Sequence, residues 1–409
     1  MRPDRPLKVV LLNWRDSTHP EGGGSEVFAE QVASGLGARG HEVTLFCADH
    51  GGAPRDEQRE GYRVVRRGSR LGVYVHAALT GLRGGFGRPD VVVDVQNGLP
   101  FLARLWSRRP TVMVVHHVHR EQWSVVLGPV LARLGWLVES RLAPRLLRGC
   151  RYVAVSETTR DELVELGVAR GDISVVHNGT VSALPTGAAR TPFPSVCILG
   201  RLVPHKRIGL AIEALALLSG RFPDLRLSIV GHGWWEQELR AEAERFGVAD
   251  RVDFLGFVDE RTKAEVLASS WLLAVPSVKE GWGLSVVEAA SYGTPAVAFA
   301  GAGGLSDSIL DGRTGLLVDG SRDAGAAVAM AEAFTSLLTD DARRQAMGRA
   351  ARAAAGRFTW PAAVDAFEQV LLRAAGRDTQ PGRLLHLVPP PRLEPLDGTA
   401  DRQESRPGA

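Results

Sequence analysis

The 409-residue sequence has few cysteines, few lysines and no long apolar run. Its three cysteines, Cys47, Cys150 and Cys197, are widely spaced, which excludes a disulfide framework or a zinc knuckle and favours buried, reduced thiols. No apolar stretch approaches the roughly 18 residues of a membrane-spanning helix. The charged residues 1–6 lead directly into a candidate strand, so no signal peptide is expected. These absences predict a globular, cytoplasmic protein.

The net charge of +3 conceals an uneven distribution. Residues 60–151 contain fifteen arginines, no lysine and five acidic residues, whereas the rest of the chain is acidic. A basic face favours a polyanionic partner. We expect peripheral contact with the anionic inner face of a membrane, and no nucleic acid, because aromatic residues do not alternate with the arginines. The alternative is that the arginines reflect composition alone.

Short apolar runs alternate with helix-length amphipathic segments along the whole chain. Strands are predicted at 8–14, 42–48, 62–66, 91–95, 112–116, 152–155 and 174–177, then at 196–200, 226–230, 252–256, 272–275, 296–300 and 315–318. Several are almost continuous Val, Ile and Leu, as in parallel strands buried on both faces. The repeated βαβα order predicts an α/β protein with two doubly wound, Rossmann-like domains facing a cleft.

A length of 409 residues also favours two domains. Residues 181–194 contain three prolines and no periodicity, so we place a first domain at 1–182 and a second at 183–357. A last helix lies within 358–375. Residues 376–409, rich in Pro, Arg and Gly, are predicted to be a disordered tail.

The first predicted strand is followed by a glycine cluster, Gly22, Gly23 and Gly24. Glycines let the backbone approach a ligand, and the amino terminus of the next helix favours an anion. A glycine-rich loop at this place could also belong to a dinucleotide-binding dehydrogenase. That interpretation is disfavoured because the loop is too long and Val27 stands where GxGxxG has its third glycine. Alone, the cluster is equally compatible with a simple turn.

The second domain opens with SVCILGRLVPHKRIG, which puts Arg201 and Lys206 at a strand-to-helix corner. Lys206 is one of only four lysines, so overall composition does not account for it. The planar guanidinium of an arginine and the ammonium of a lysine can together bind a diphosphate. Solvated surface charges are the alternative.

The segment PSVKEGWGLSVVEAASYGTPAVA carries two carboxylates eight residues apart, Glu280 and Glu288. Glu280 precedes a predicted helix and Glu288 lies about one turn inside it, so both can face the cleft and accept hydrogen bonds from sugar hydroxyls. The backbone N–H groups of Leu284 and Ser285 can hold a phosphate. The simpler alternative makes Glu280 a helix cap and Glu288 a surface residue.

These segments resemble the retaining GT-B glycosyltransferases of family 4, whose second domain carries a Glu-x7-Glu motif of the form EGxGLxxxEA. Here it reads EGWGL at 280–284 and EA at 288–289, followed by GTP at 293–295. The other matches follow in the order of that family: Gly23, Gly24 and Glu26, GHEVT (40–44), AVSE (154–157), HNG (177–179), GRLVPHK (200–206), IVGHG (229–233) and FLGFV (254–258). The resemblance spans residues 8 to 375.

The resemblance implies a sugar nucleotide bound mainly by the second domain. Arg201 and Lys206 would neutralise the departing diphosphate, so neither a metal nor another cofactor is expected. Glu288 would bind the ribose and Glu280 the donor sugar. The remaining donor contacts implied are Gly281, Trp282, Gly283, Leu284 and Ser285 at sugar and phosphate, Gly231, Gly256, Phe257 and Val258 near the base, and Gly23 and Gly24 from the first domain.

The resemblance also implies a histidine that faces the sugar from the first domain. His116 matches it, and His117 stands where many relatives have Asp, so either side chain is a candidate. A metal site built from His116, His117 and His119 is disfavoured, since neighbouring histidines point in different directions and no carboxylate is suitably spaced. The last helix would cross back onto the first domain.

The expected activity is retaining transfer of a hexose from GDP-mannose or a UDP-sugar to a lipid-linked, cell-envelope or polysaccharide acceptor. Three alternatives remain open. They are transfer to a small natural product, a GT-B sugar-nucleotide epimerase, and a non-catalytic subunit that binds sugar nucleotides.

Overall fold

The computed structural model describes residues 5–20, 22–120, 123, 128–180, 183–320 and 323–377. The tail predicted for 376–409 lies outside these residues except for its first two positions. Residues 181–182 also lie outside them, so the domain boundary placed there stays a prediction. Among the described helices, none is long and apolar enough to cross a membrane.

The first half of the chain forms an eight-stranded sheet. Its strands are β1 (Lys8–Leu12), β2 (Glu42–Cys47), β3 (Asp56–Arg59), β4 (Tyr62–Arg66), β5 (Val91–Gln96), β6 (Thr111–Val115), β7 (Arg151–Ala154) and β8 (Ile173–Val175). Their spatial order is β3-β4-β2-β1-β5-β6-β7-β8, and only the β3–β4 pair is antiparallel. The sequence analysis did not predict β3, because its residues DEQR are all polar and provide no apolar run.

Helices cover both faces of this sheet. They are α1 (Gly24–Ala38), α2 (Gly72–Leu82), α3 (Ala103–Trp106), α4 (Pro129–Leu137), which continues through a π-helical turn (Val138–Leu142) into α5 (Ala143–Leu146), and α6 (Glu157–Glu165). Alternate strand residues point to opposite faces. Val9 and Val91 pack with α1 on one face. Val10 and Val92 pack with α2 and α3 on the other face. Met113, which is in register with Asp94 of β5, packs with α5.

The second half forms a six-stranded, wholly parallel sheet. Its strands are β9 (Ser195–Leu199), β10 (Arg226–Val230), β11 (Val252–Gly256), β12 (Leu272–Val275), β13 (Ala296–Phe299) and β14 (Gly315–Val318), in the order β11-β10-β9-β12-β13-β14. Its helices are α7 (Gly209–Leu218), α8 (Glu236–Arg245), α9 (Glu260–Ser269), α10 (Leu284–Ser291), α11 (Leu305–Ser308), α12 (Asp323–Leu338) and α13 (Asp341–Ala355). The two predicted doubly wound sheets are confirmed.

The last helix, α14 (Trp360–Ala374), returns to the first domain and packs against α1. Val364 lies so close to Gly35 of α1 that a Cβ at Gly35 would meet its Cγ2 at 2.6 Å. The Glu368 carboxylate accepts hydrogen bonds from Arg39 at 2.6 Å and His41 at 2.7 Å. The predicted crossing helix is therefore confirmed.

Candidate functional site

The two sheets meet with the carboxyl ends of their strands on either side of a cleft. Across it, the Thr158 backbone N–H donates to Asp307 Oδ2 at 3.0 Å, and His232 Nε2 donates to the Pro20 carbonyl at 3.1 Å. Lys279 also forms an ion pair with Glu162 of the first domain. The structure therefore holds the two domains in direct contact around the predicted site.

The carboxylate of Glu280 sits in the loop between β12 and α10. Its Oε1 accepts hydrogen bonds from Lys206 Nζ at 2.5 Å and from Ser277 Oγ at 2.6 Å. Burial opposes the charged carboxylate, but the Lys206 ammonium and these hydrogen bonds outweigh burial and hold the pKa of Glu280 below its ordinary value. The predicted sugar-binding carboxylate and diphosphate-binding lysine thus form one ionised pair.

The second carboxylate of the motif, Glu288, lies inside α10 and pairs with Lys263 of α9, Nζ to Oε1 2.8 Å. Burial raises the pKa of Glu288, although the Lys263 charge and hydrogen bond act in the opposite direction. The two carboxylates therefore differ in environment. The sequence analysis did not identify Lys263, because its distance of 25 residues from Glu288 follows no periodicity.

His116 follows β6 directly and its side chain is buried. Burial lowers its pKa to about 4, with the nearby Glu26 carboxylate opposing and His119 adding to the decrease. Its Nε2 is buried without a hydrogen-bond partner among the described residues. A buried polar atom without a partner calls for an explanation, and a ligand hydroxyl would provide one. His117 is half-buried, and its ring lies 4.2 Å from that of His119.

The loop at Gly281 touches the first domain. A Cβ at Gly281 would lie 2.3 Å from the His116 carbonyl oxygen, so only glycine fits this approach without movement. A Cβ at Gly24 would meet the Leu284 side chain at 2.9 Å, and one at Gly23 would meet Arg201 Nε at 3.6 Å. The predicted glycines of both domains and Arg201 are thus brought to one place.

The glycine cluster of the first domain is fixed by Glu26, in the first turn of α1. Glu26 Oε2 accepts from the Gly23 N–H at 2.6 Å, and Oε1 pairs with Arg15 Nε at 2.9 Å. Burial alone would raise the pKa of Glu26. The Arg15 charge and the hydrogen bonds lower it by more, so the pKa lies below its ordinary value. Glu26 is a buried positioning residue for the loop.

The side chain of Trp282 is buried against residues of the first domain. The indole stacks on His177 with ring centroids 4.3 Å apart and contacts Phe358, and it is buried among apolar residues. The adjacent Gly283 has φ +85°, a conformation that favours glycine at the start of α10. Only the backbone of this segment, with the half-buried Leu284 and Ser285, is therefore available to a donor.

The residues predicted near the base lie together at the ends of β10 and β11. The Gly231 N–H donates to the Gly256 carbonyl at 2.8 Å, and a Cβ at Gly231 would meet the Gly200 carbonyl at 2.0 Å. Phe257 is 82% exposed, with its ring edge-on to His232, and Val258 is half-buried beside it. The ends of β10 and β11 therefore present an exposed aromatic ring beside closely packed backbone.

No cluster of three His, Cys, Asp or Glu side chains suited to a metal ion occurs within the described ranges. The histidines near β6 are instead engaged with carboxylates and rings. His119 Nδ1 lies 3.0 Å from Glu139 Oε1, in the π-helical turn, and Trp123 Nε1 donates to Glu139 Oε2 at 2.7 Å. Glu139 was not among the site residues predicted from the sequence.

Two family descriptions cover most of the chain. Residues 22–182 match Glycosyltransferase Family 4, and residues 187–354 match Glycosyl transferases group 1. The D-inositol 3-phosphate glycosyltransferase of Streptomyces avermitilis is 33% identical, over 90% of this chain and 88% of its own. The GDP-mannose-dependent alpha-(1-6)-phosphatidylinositol monomannoside mannosyltransferase of Mycolicibacterium smegmatis is 30% identical, over 81% and 90%.

Solved structures share the fold. Sucrose-phosphate synthase from Thermosynechococcus elongatus has a TM-score of 0.75 at 21% identity, over 90% of this chain and 98% of its own. Anabaena HepE in complex with UDP-glucose has a TM-score of 0.69 at 22% identity, over 90% and 100%. The chain belongs to the GT-B glycosyltransferases of family 4. It is a glycosyltransferase.

Proposed function

We propose that this enzyme transfers a hexose from a nucleotide diphosphate sugar with retention of anomeric configuration and without a metal ion. The observation that carries the proposal is the ion pair of Lys206 with Glu280, together with Arg201 near Gly23 of the first domain. Fixed cations stabilise a departing diphosphate electrostatically, which is the contribution a metal ion would otherwise make. The donor names carried by relatives, GDP-mannose and UDP-glucose, support either nucleotide here.

The two domains supply different parts of the reaction. Glu280 accepts hydroxyl hydrogen bonds of the donor sugar, while the neutral His116 approaches the same sugar from the first domain. Bond breaking at the anomeric carbon sends the electron pair to the diphosphate, where Arg201 and Lys206 balance the new charge. The acceptor oxygen then bonds to the same face of the sugar, and its proton passes to the diphosphate oxygen. Contact between the domains excludes water during this step.

Methanolysis tests this proposal without an identified acceptor. GDP-mannose and UDP-sugars are incubated with the protein and methanol, with and without EDTA, and the methyl glycoside is analysed by proton NMR. A methyl glycoside does not mutarotate, so its anomeric signal records the stereochemistry. We expect the donor's anomeric configuration at a rate unaffected by EDTA. Inverted product, or a rate abolished by EDTA and restored by a divalent cation, would refute the proposal.

We further propose that the acceptor is presented at an anionic membrane. Ten of the seventeen large apolar side chains exposed in the described residues lie between residues 71 and 142. On α2 and the residue before it, they follow helical spacing at Leu71, Val75, Leu79 and Leu82. On α3, α4 and the π-helical turn they are Leu105, Val130, Leu131, Leu134, Leu137 and Leu142. Exposed apolar groups on this scale mark an interaction surface.

Exposed arginines occur in the same part of the chain. Within residues 60–151 they are Arg63, Arg70, Arg83, Arg88, Arg104, Arg108, Arg109, Arg120, Arg133, Arg141, Arg145, Arg148 and Arg151. Not all fifteen arginines contribute, because Arg63 and Arg67 pair with Asp56, and Arg66 is buried against Asp16 and Glu57. Exposed apolar side chains together with exposed cations fit the interface of an anionic bilayer. A lipid-linked or cell-envelope acceptor is therefore favoured over a small natural product.

Vesicle flotation tests the membrane contact. The wild-type protein is expected to float with phosphatidylglycerol vesicles at low salt and not with phosphatidylcholine vesicles. Leu134→Glu should weaken binding about tenfold or more, since it puts a charge among the apolar side chains. Leu217→Glu, at an equally exposed leucine of the second domain, is the matched control and should float like wild type. Wild-type protein that stays unbound would contradict the proposal and leave the small-molecule acceptor.

A further inference from the structure

A buried carboxylate fixes one imidazole on the first-domain side of the cleft. Glu139, 1% exposed, accepts from the His119 backbone N–H at 3.2 Å, from His119 Nδ1 at 3.0 Å and from Trp123 Nε1 at 2.7 Å. A carboxylate only accepts hydrogen bonds, so Nδ1 of His119 carries the proton. Its Nε2 lies on the other side of the ring, directed away from Glu139.

His119 belongs to the cleft rather than to the outer surface. It follows His116 by three residues, and the His116 carbonyl oxygen lies 2.3 Å from where a Cβ at Gly281 of the second domain would be. Its ring centroid is 4.2 Å from that of His117, and 15% of its side chain is exposed. A ligand entering from the first-domain side would meet this group.

We propose that His119, held by Glu139, binds the acceptor through a hydrogen bond between its Nε2 and an acceptor hydroxyl. This inference rests on the proposed transferase function and assigns it an acceptor subsite. A hydroxyl group can both donate and accept a hydrogen bond, so it can pair with the Nε2 of this imidazole. The part of the acceptor bound here is accordingly a sugar or polyol.

A partition experiment tests the assignment. Each protein is incubated with the active nucleotide sugar and glycerol, and the glyceryl glycoside and the free sugar from hydrolysis are quantified together. Their ratio compares glycerol with water as acceptor in one sample. It does not depend on the fraction of folded protein or on donor binding. His119→Ala should lower the ratio about three- to tenfold, the effect of one lost hydrogen bond. The exposed His76→Ala is the matched control and should leave the ratio unchanged.

A second variant separates acceptor binding from support of the fold. Asparagine at 119 can still donate to Glu139 from near the position of Nδ1, but it has no atom at the position of Nε2. His119→Asn should therefore lower the ratio as much as His119→Ala does. A wild-type ratio in either variant would overturn the inference while leaving the transferase function intact. If wild-type protein forms neither product from any donor, the proposed function fails, and this inference fails with it.

Discussion

Gly281 provides a direct test of domain contact, because it is one of the places where the second domain touches the first. A Cβ there would lie 2.3 Å from the His116 carbonyl oxygen, and ordinary contact begins at 3.4 Å. Gly281→Ala must therefore move the loop away from His116 by about 1 Å, given the distances at this contact. A misplacement of this size at a reacting centre costs about 100-fold in rate. We expect kcat for methanolysis to fall by that order.

The folded domains should be little affected, because the clash is relieved by separating them. The thermal midpoint without ligand is expected to stay within about 2 °C of wild type. Gly220→Ala, in open space in the same domain, is the matched control and should retain full kcat. A Gly281→Ala enzyme with wild-type kcat would refute the argument that this contact is required for reaction.

Three further predictions concern charge. Lys206→Ala leaves the Glu280 carboxylate facing the diphosphate without its cation. Calorimetry should therefore show about 10- to 100-fold weaker binding of the active nucleotide. Equal affinity would contradict the role of Lys206 in binding the diphosphate. Because the folded pKa of His116, about 4, lies below its ordinary 6.5, the unfolded chain binds more protons between these values, and stability is lost as pH falls through this window. Urea unfolding should therefore show wild type losing up to about 3 kcal/mol relative to His116→Gln between pH 7 and 4; parallel pH profiles would exclude this. Arg66→Met removes the main partner of the buried Asp16 carboxylate. The free energy of unfolding in the same assay should therefore fall by about 3–5 kcal/mol. A decrease below about 1 kcal/mol would count against a buried ion pair.

The sheet strands were predictable wherever burial on both faces requires continuous apolar residues. β6, which reads TVMVV and is wholly buried, shows this clearly. The polar edge strand β3 was not predictable, because it is stabilised by pairing with β4 and by ion pairs of Asp56 and Glu57 with arginines. Arg66 is one of these arginines, and its buried ion pairs remove it from the basic surface that the charge count predicted.

The candidate site was predictable where it is local in sequence. EGWGL places Glu280 and the amino terminus of α10 together through chain connectivity alone. Contacts between distant segments were not predictable, and Glu139 stands twenty positions after His119, in a π-helical turn that breaks helical periodicity. The close approach of Gly281 to His116 joins two domains and has no signature in either segment. The roles assigned to the individual site residues stay predictions.

The central claim is that the second domain holds a nucleotide diphosphate sugar through Arg201, Lys206 and the two motif carboxylates without a metal. A thermal-shift panel of GDP-, UDP- and dTDP-sugars, with and without EDTA and with NAD(P) as the competing ligand, tests it most directly. The account predicts that one nucleotide class raises the melting temperature, equally in EDTA, and that Lys206→Ala loses this shift. Stabilisation by NAD(P) alone, or a sugar-nucleotide shift abolished by EDTA, would contradict it.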